Sequence, residues 1–137
     1  MRIIRHLTPA GPAHAALQPD GTAREISGSL FGPFFATDKT VKPGKVLAPL
    51  SPPNILAIGL NYRRHAEEGG KPLPERPMLF IKSTNSVQNP GDPIELPRKL
   101  PSHEVDYECE LAVVIGRACK NATRATALGK LTACPRR

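Results

Sequence analysis

A histidine and a glutamate stand three residues apart in the stretch NYRRHAEEGG, at positions 61–70. Residues at i and i+3 of a helix are neighbours, so His65 and Glu68 can meet there. A carboxylate beside an imidazole stabilises the charged ring and can fix its tautomer, which tunes a general base. Glu67, two residues from His65, would face away from it. The alternative is an ordinary solvated helix turn, and the pair alone leaves both interpretations open.

A second pair of carboxylates lies in EVDYECELAVVIGR, 104–117, which first alternates and then becomes β-branched, as strands do. Side chains at i and i+2 of a strand share one face, so Glu108 and Glu110 could both point at one hard cation. The competing interpretation is a half-buried strand with its polar face in water. Lys82, at the end of MLFIK, could hold a substrate carboxylate or could mark where a strand leaves the core.

The elements that must position these residues are mostly strands. Three short, partly alternating stretches near the start predict a small β-meander, with a turn at PDGT, 19–22. Residues 31–53, punctuated by Pro and Gly, predict a connector and a subdomain boundary. The apolar run NILAIGL, 54–60, predicts a buried strand that leads into a short helix, for which Asn61 is the expected N-cap.

Composition indicates the broad class of the protein. The chain has 137 residues, of which 39% are apolar, with 16 Pro and 11 Gly, and this predicts one loop-rich and strand-rich globular unit. Three Cys without a CxxC pair favour a reducing interior over a disulfide framework. No apolar run approaches the ~20 residues of a membrane span, and no signal-peptide stretch begins the sequence. We therefore expect a cytoplasmic protein with no membrane partner.

The net charge of +7 is concentrated towards the end of the sequence. Residues 1–110 carry 13 Lys and Arg against all 12 Asp and Glu, whereas residues 111–137 carry six Lys and Arg and no acid. Aromatic residues make up 4% of the chain, Trp is absent, and no DNA- or RNA-binding motif occurs. We therefore expect no nucleic-acid partner, and a basic nucleic-acid binder is kept only as a further alternative.

Three stretches, taken in order, resemble the core of the fumarylacetoacetate hydrolase family. They are the NYxxHxxE turn and helix after NILAIGL, the FxK strand of MLFIK, and the ExE strand that continues into LAVVIG, and they cover about residues 50–120. The resemblance implies an α+β, mostly β fold, in which a small N-terminal β-meander precedes the first part of the mixed-β fumarylacetoacetase-like catalytic fold. The predicted division is a β-rich subdomain with its connector, 1–50, a partial catalytic domain, 51–128, and an aberrant basic tail, 129–137.

The resemblance also implies a chemistry. In that family the histidine of NYxxHxxE is a general base on water and the glutamate three residues later orients it, which implies these roles for His65 and Glu68. The two glutamates of ExE bind a divalent cation, which implies Mg²⁺, or else Ca²⁺ or Mn²⁺, at Glu108 and Glu110. Lys82 is a weaker substrate-binding candidate. The implied activity is metal-dependent hydrolysis or cleavage of C–C bonds in small oxo-acids such as acylpyruvates, and family members often form homodimers.

The sequence departs from the family pattern after Glu110. The family's third metal carboxylate is an Asp on a later strand, whereas this sequence has no Asp or Glu beyond Glu110. We therefore expect a truncated family member that binds Mg²⁺ weakly, exposes an apolar strand edge, and is poorly soluble and nearly inactive. The alternative is a non-catalytic binding or interaction module that retains half of the fold.

Overall fold

The computed structural model describes residues 1–131. Within that range the fold is α+β and mostly β, as predicted from the sequence. Its elements are β1 (Arg2–Thr8), β2 (Gly11–Leu17), β3 (Ala23–Gly28), β4 (Phe34–Val41), β5 (Val46–Leu47), β6 (Ile55–Gly59), α1 (Arg63–Glu68), β7 (Met78–Lys82), and two 3₁₀ turns, Thr84–Ser86 and Ala127–Lys130. No helix in the described part of the chain has the length and apolar character needed to cross a membrane.

The N-terminal part forms the predicted β-meander, enlarged to a five-stranded antiparallel sheet with the order β4-β3-β2-β1-β5. The turn between β2 and β3 lies where PDGT predicted it. There the Oδ1 atom of Asp20 accepts hydrogen bonds from the hydroxyl and the backbone N–H of Thr22, at 2.7 and 2.9 Å. These two bonds, the hydroxyl's first, lower the pKa of Asp20 and hold the turn closed.

The prediction that residues 31–53 form only a connector is wrong, because this stretch supplies β4 and β5, one at each edge of the sheet. β4 pairs with β3 through contacts such as Ile26 with Ala36, beside a β-bulge between Arg24 and Ile26. The bulge shifts the register of the β3–β4 pairing, and this shift cannot be predicted from the sequence of either strand alone. The Pro and Gly residues that indicated a loop lie at the ends of these strands.

The buried core is built from small side chains. The buried apolar residues in the described range are Ala15, Ala16, Ala23, Ala48 and Ala66. The imidazole of His6 is buried with them, and its Nδ1 atom accepts a hydrogen bond from the backbone N–H of Gly44 at 3.2 Å. A Cβ atom at Gly44 would overlap the carbonyl oxygen of Leu7, so only glycine allows this close approach. The N-terminal sheet therefore carries most of the core.

The second sheet is the antiparallel pair of β6 and β7, with register from Ile55 opposite Lys82 to Gly59 opposite Met78. Both strands were predicted, but β6 was expected to be buried and is only partly so. Leu56 lies opposite Ile81, so both side chains point to one face, and both are exposed. Two-stranded sheets are marginally stable in water unless another element covers a face.

A polar network connects the turn after β7 to the N-terminal sheet. The side-chain oxygen of Asn89 accepts a hydrogen bond from the backbone N–H of Ala48 at 3.0 Å, and its amide donates to Asp92 at 2.9 Å. The ammonium of Lys45 lies 2.7 Å from the carboxylate of Asp92. Hydrogen bonds from Lys45 and then from Asn89 lower the pKa of Asp92, so this link is formed by the ionised carboxylate.

The strand predicted over residues 104–117 is not formed. The backbone pairs only at an isolated bridge between Ile115 and Leu131, where Lys130 also accepts hydrogen bonds from Gly116 and Arg117. A strand needs a neighbour to receive its N–H and C=O groups, and within residues 1–131 none lies beside this stretch. The strand face that Glu108 and Glu110 were predicted to share is therefore not formed within residues 1–131.

We expect the apolar face of the second sheet to drive self-association, so that Ile81→Lys shifts the chain towards the monomer. Ile81 is 75% exposed and places its side chain beside other exposed apolar groups, whereas a lysine there would oppose contact between two such faces. Size-exclusion chromatography with light scattering measures the change. Leu128→Lys is the matched control, because Leu128 is 74% exposed but lies outside this sheet. Equal effects of the two substitutions would contradict a role for this face.

Candidate active site

The candidate site begins where β6 passes into α1. Leu60 takes a left-handed backbone conformation, φ +48°, which turns the chain after the strand. The predicted N-cap Asn61 is wrong: α1 starts at Arg63 and Tyr62 is the N-cap, with an extended backbone and no side-chain capping bond. The helix ends at Glu68, Gly69 is its C-cap, and Gly70 follows with φ +61°. This short helix places the side chain of His65 at the surface.

The structure brings His65 together with Glu108 rather than with Glu68. The Nδ1 atom of His65 lies 3.4 Å from Oε1 of Glu108, and the two side chains are 52% and 53% exposed. At that exposure an ion pair adds little to stability, so the contact matters chiefly for orientation. The contact is an ion-pair approach rather than a hydrogen bond in this structure. A small rotation of either side chain would let an Nδ1–H of a neutral ring donate to Glu108, which would leave the lone pair of Nε2 free to act as a base.

The other predicted site residues form fewer contacts. The side chains of Glu68 and Glu110 make no hydrogen bond or ion pair with residues 1–131, so their roles stay predictions. Lys82, at the end of β7, places its ammonium 5.9 Å from the centre of the Phe80 ring. No carboxylate within the described range pairs with that ammonium, which leaves it able to meet an anionic group.

Two contacts in this site were not predicted from the sequence. Glu108 was assigned to a metal and not to the imidazole. Tyr62 was not assigned any role, yet its hydroxyl accepts a hydrogen bond from the backbone N–H of Leu111 at 2.8 Å. The available signal was its place in the NYxxHxxE motif, because its partner Leu111 lies 49 residues away and leaves no local pattern.

The residues present suit a divalent cation in kind but not in number. Glu108 and Glu110 carry the carboxylate oxygens that Mg²⁺ and Ca²⁺ prefer. Within residues 1–131, however, no group of three or more His, Cys, Asp or Glu side chains is placed to hold a metal ion. The described residues therefore do not assemble a complete set of protein ligands.

The contact between His65 and Glu108, held within a mostly β fold, is the candidate active centre of an enzyme. Residues 54–130 match the family model described as fumarylacetoacetate (FAA) hydrolase C-terminal, which is more than half of the chain. Residues 1–51 match the model described as Rv2993c-like, N-terminal. The chain belongs to the fumarylacetoacetate hydrolase family.

Individual relatives agree with this assignment. The chain is 36% identical to Protein Rv2993c of Mycobacterium tuberculosis, over 96% of this chain and 52% of that protein. It is 44% identical to a 2,4-didehydro-3-deoxy-L-rhamnonate hydrolase of a Sphingomonas species, over 56% of this chain and 26% of that protein. The chain thus spans about half, or less, of the length of the curated relatives it matches.

Solved structures show the same relationship. The structure of Cg1458 with inhibitor matches with a TM-score of 0.79 and 35% identity, over 96% of this chain and 52% of that one. A 5-carboxymethyl-2-hydroxymuconate delta-isomerase from Mycobacterium smegmatis matches with a TM-score of 0.73 and 32% identity, over 96% of this chain and 51% of that one. Relatives of this chain are thus named hydrolases or isomerases, so the family is one of enzymes.

Proposed function

We propose that the chain carries the general-base part of a divalent-metal-dependent enzyme that hydrolyses or cleaves C–C bonds of small oxo-acids, such as acylpyruvates or fumarylacetoacetate-like diketo acids. The observation that carries the proposal is the contact between Nδ1 of His65 and the carboxylate of Glu108, at 3.4 Å, inside the stretch that matches the family model. The names of relatives that act on sugar-acid or muconate-type substrates support the substrate class.

In the proposed reaction, His65 acts through its Nε2 atom. With its Nδ1–H directed at Glu108, the neutral imidazole uses the Nε2 lone pair to take a proton from a water molecule whose oxygen attacks the substrate carbonyl carbon. Collapse of the resulting tetrahedral species breaks the C–C bond, and the proton held by His65 passes to the departing carbon or enol oxygen. We propose Glu68, from the family resemblance, as a further carboxylate acting on the imidazole.

We propose Glu108 and Glu110 as the ligands of Mg²⁺, or of Ca²⁺ or Mn²⁺, and Lys82 as a contact for a substrate carboxylate. A bound dication would polarise the substrate carbonyl and offset the negative charge that develops on its oxygen. Two carboxylates alone hold Mg²⁺ weakly because that ion gives up its waters reluctantly. Weak metal binding and slow turnover are therefore the expected properties of this chain.

The test is a calorimetric titration with Mn²⁺, combined with an assay of acylpyruvate hydrolysis with enzyme in excess. We expect weak binding to the unaltered chain and a loss of affinity of about tenfold or more in Glu108→Gln and in Glu110→Gln. Glu104→Gln is the control, since Glu104 belongs to the same stretch and is exposed. Unchanged affinity in both variants, with no metal-dependent hydrolysis, would rule out the proposed site.

The second candidate function is a non-catalytic interaction module. It is favoured by the exposed apolar face of the β6–β7 sheet, which includes Leu56 and Ile81. Metal-independent self-association without hydrolysis would support it over the enzyme. The cytoplasmic location, the absence of nucleic-acid and membrane partners, and homodimer formation stay predictions from the sequence.

A further inference from the structure

We propose that Tyr62 is a positioning residue, whose hydroxyl holds the stretch that contains Glu108 and Glu110 against His65. The inference deepens the proposed function and rests on it for its catalytic meaning. Its structural basis is independent of activity: the backbone N–H of Leu111 donates a hydrogen bond to the phenolic oxygen of Tyr62 at 2.8 Å, across 49 residues of sequence.

Two contacts join this stretch to the start of α1, and their residues are equally spaced on both segments. Tyr62 meets Leu111, and His65, three residues later, meets Glu108, three residues earlier. The stretch therefore runs past the beginning of α1 in the opposite direction to the helix. Fixing Leu111 at one end restricts where the carboxylate of Glu108 can lie at the other.

Few other contacts can place this stretch. Its backbone forms no strand ladder with residues 1–131, and the backbone N–H groups of Glu104 and Tyr107 donate only to the nearby side chains of Ser102 and Asp106. Among residues 1–131, the bond to Tyr62 is the only hydrogen bond from the backbone of residues 104–114 to another element. Loss of that bond would leave Glu108 positioned by its own half-exposed contact with the imidazole.

Leu111 lies at the junction between two halves of the stretch. On its C-terminal side, residues 112–114 line an apolar groove of about 370 Å³ together with residues of β1, β4 and the segment after β5. On its N-terminal side lies Glu108, whose carboxylate contacts His65 of α1. The Tyr62 hydroxyl thus holds the point where the stretch passes from the N-terminal sheet to the helix.

Tyr62 gives α1 no capping hydrogen bond, which supports a role for its side chain away from the helix. Helix N-caps are usually Ser, Thr, Asp or Asn, because their short side chains accept a bond from the first turn. Tyr62 occupies the N-cap of α1 and makes no such bond. Its long, rigid ring instead carries the hydroxyl across to Leu111, so the residue forgoes helix capping and makes a tertiary contact.

The first test is amide hydrogen exchange of the full chain measured by NMR. In the unaltered chain, the Leu111 amide should exchange more slowly than that of Glu110, which has no acceptor in the described range. Tyr62→Phe removes only the hydroxyl and should speed exchange at Leu111 by about fivefold, the factor for one typical net hydrogen bond. Tyr107→Phe is the control, because the Tyr107 side chain is 93% exposed and its hydroxyl bonds no described residue. Protected β1 and β2 amides would show that the variants fold.

The second test reads the imidazole directly. Nitrogen-15 NMR reports which ring atom of His65 carries the proton, and Tyr62→Phe should reduce the Nδ1–H fraction in the same direction as Glu108→Gln. Faster exchange at Leu111 with an unchanged His65 tautomer would mean that the bond is structural only, and would overturn the positioning role. Equal exchange of Leu111 and Glu110 in the unaltered chain would overturn it as well. Neither measurement needs turnover, so failure of the Mn²⁺-dependent assay counts against the proposed function alone.

Discussion

His65→Gln should lower kcat/KM for metal-dependent acylpyruvate hydrolysis by about 10²- to 10⁴-fold, the range that general-base catalysis contributes. Glutamine keeps a side-chain N–H that can donate to Glu108, but it has no ring nitrogen that can take a proton from water. The substitution therefore removes the proposed proton acceptor while keeping polarity and approximate length. Because His65 is half-exposed, the free energy of unfolding should change by no more than about 0.5 kcal/mol.

The measurement is a single-turnover assay with enzyme in excess, which resolves slow hydrolysis. His103→Gln is the matched control, because His103 is an exposed histidine whose side chain makes no hydrogen bond or ion pair with residues 1–131. Thermal unfolding of both variants separates loss of the base from loss of the fold. Retention of activity to within about twofold in His65→Gln would show that His65 is not the base, since general-base removal costs far more than that.

Short-range patterns in the sequence correctly predicted the elements that depend on neighbouring residues. The meander strands and the turn at Asp20 follow from alternation and turn residues, the strand before α1 follows from a short apolar run, and the structure has all of them. The wrong predictions concern stretches whose structure depends on pairing with a strand distant in sequence. β4 forms because it pairs with β3 across a bulge. The strongest strand pattern, 104–117, stays irregular because residues 1–131 offer it only the single bridge between Ile115 and Leu131. Alternation shows that a stretch can be a strand, while a partner determines whether it is one.

The site shows the same division between local and long-range information. Spacing and the family resemblance named His65 and Glu108 as candidates for different roles, and the structure brings these two into contact. Spacing allowed Glu68 as the partner of the imidazole and the resemblance implied it, whereas a contact between residues distant in sequence leaves no local pattern. Tyr62 was missed for a related reason, since a tyrosine at the start of a helix is unremarkable until its hydroxyl is seen to reach Leu111.

Either Glu108 or Glu68 could orient the proposed base, His65, and the structure predicts that Glu108→Gln and Glu68→Gln differ in their effect on activity. Glu108→Gln should lower kcat/KM by about 10- to 100-fold, the usual contribution of a group that orients a functional histidine. It removes the charge that favours the Nδ1–H tautomer of His65 and, at the same time, a proposed metal ligand. Glu68→Gln should have a smaller effect, because the Glu68 side chain makes no hydrogen bond or ion pair with the imidazole in this structure.

The two roles of Glu108 can be separated by varying the metal concentration. Saturating Mn²⁺ restores activity lost through weaker metal binding, whereas it cannot restore a lost orientation of the imidazole. We therefore expect Glu108→Gln to stay impaired at saturating Mn²⁺, Glu110→Gln to recover, and Glu67→Gln to behave as the unaltered chain. If Glu68→Gln were the more damaging substitution at saturating metal, the base would be oriented within its own helix. The contact between His65 and Glu108 would then have no part in the reaction.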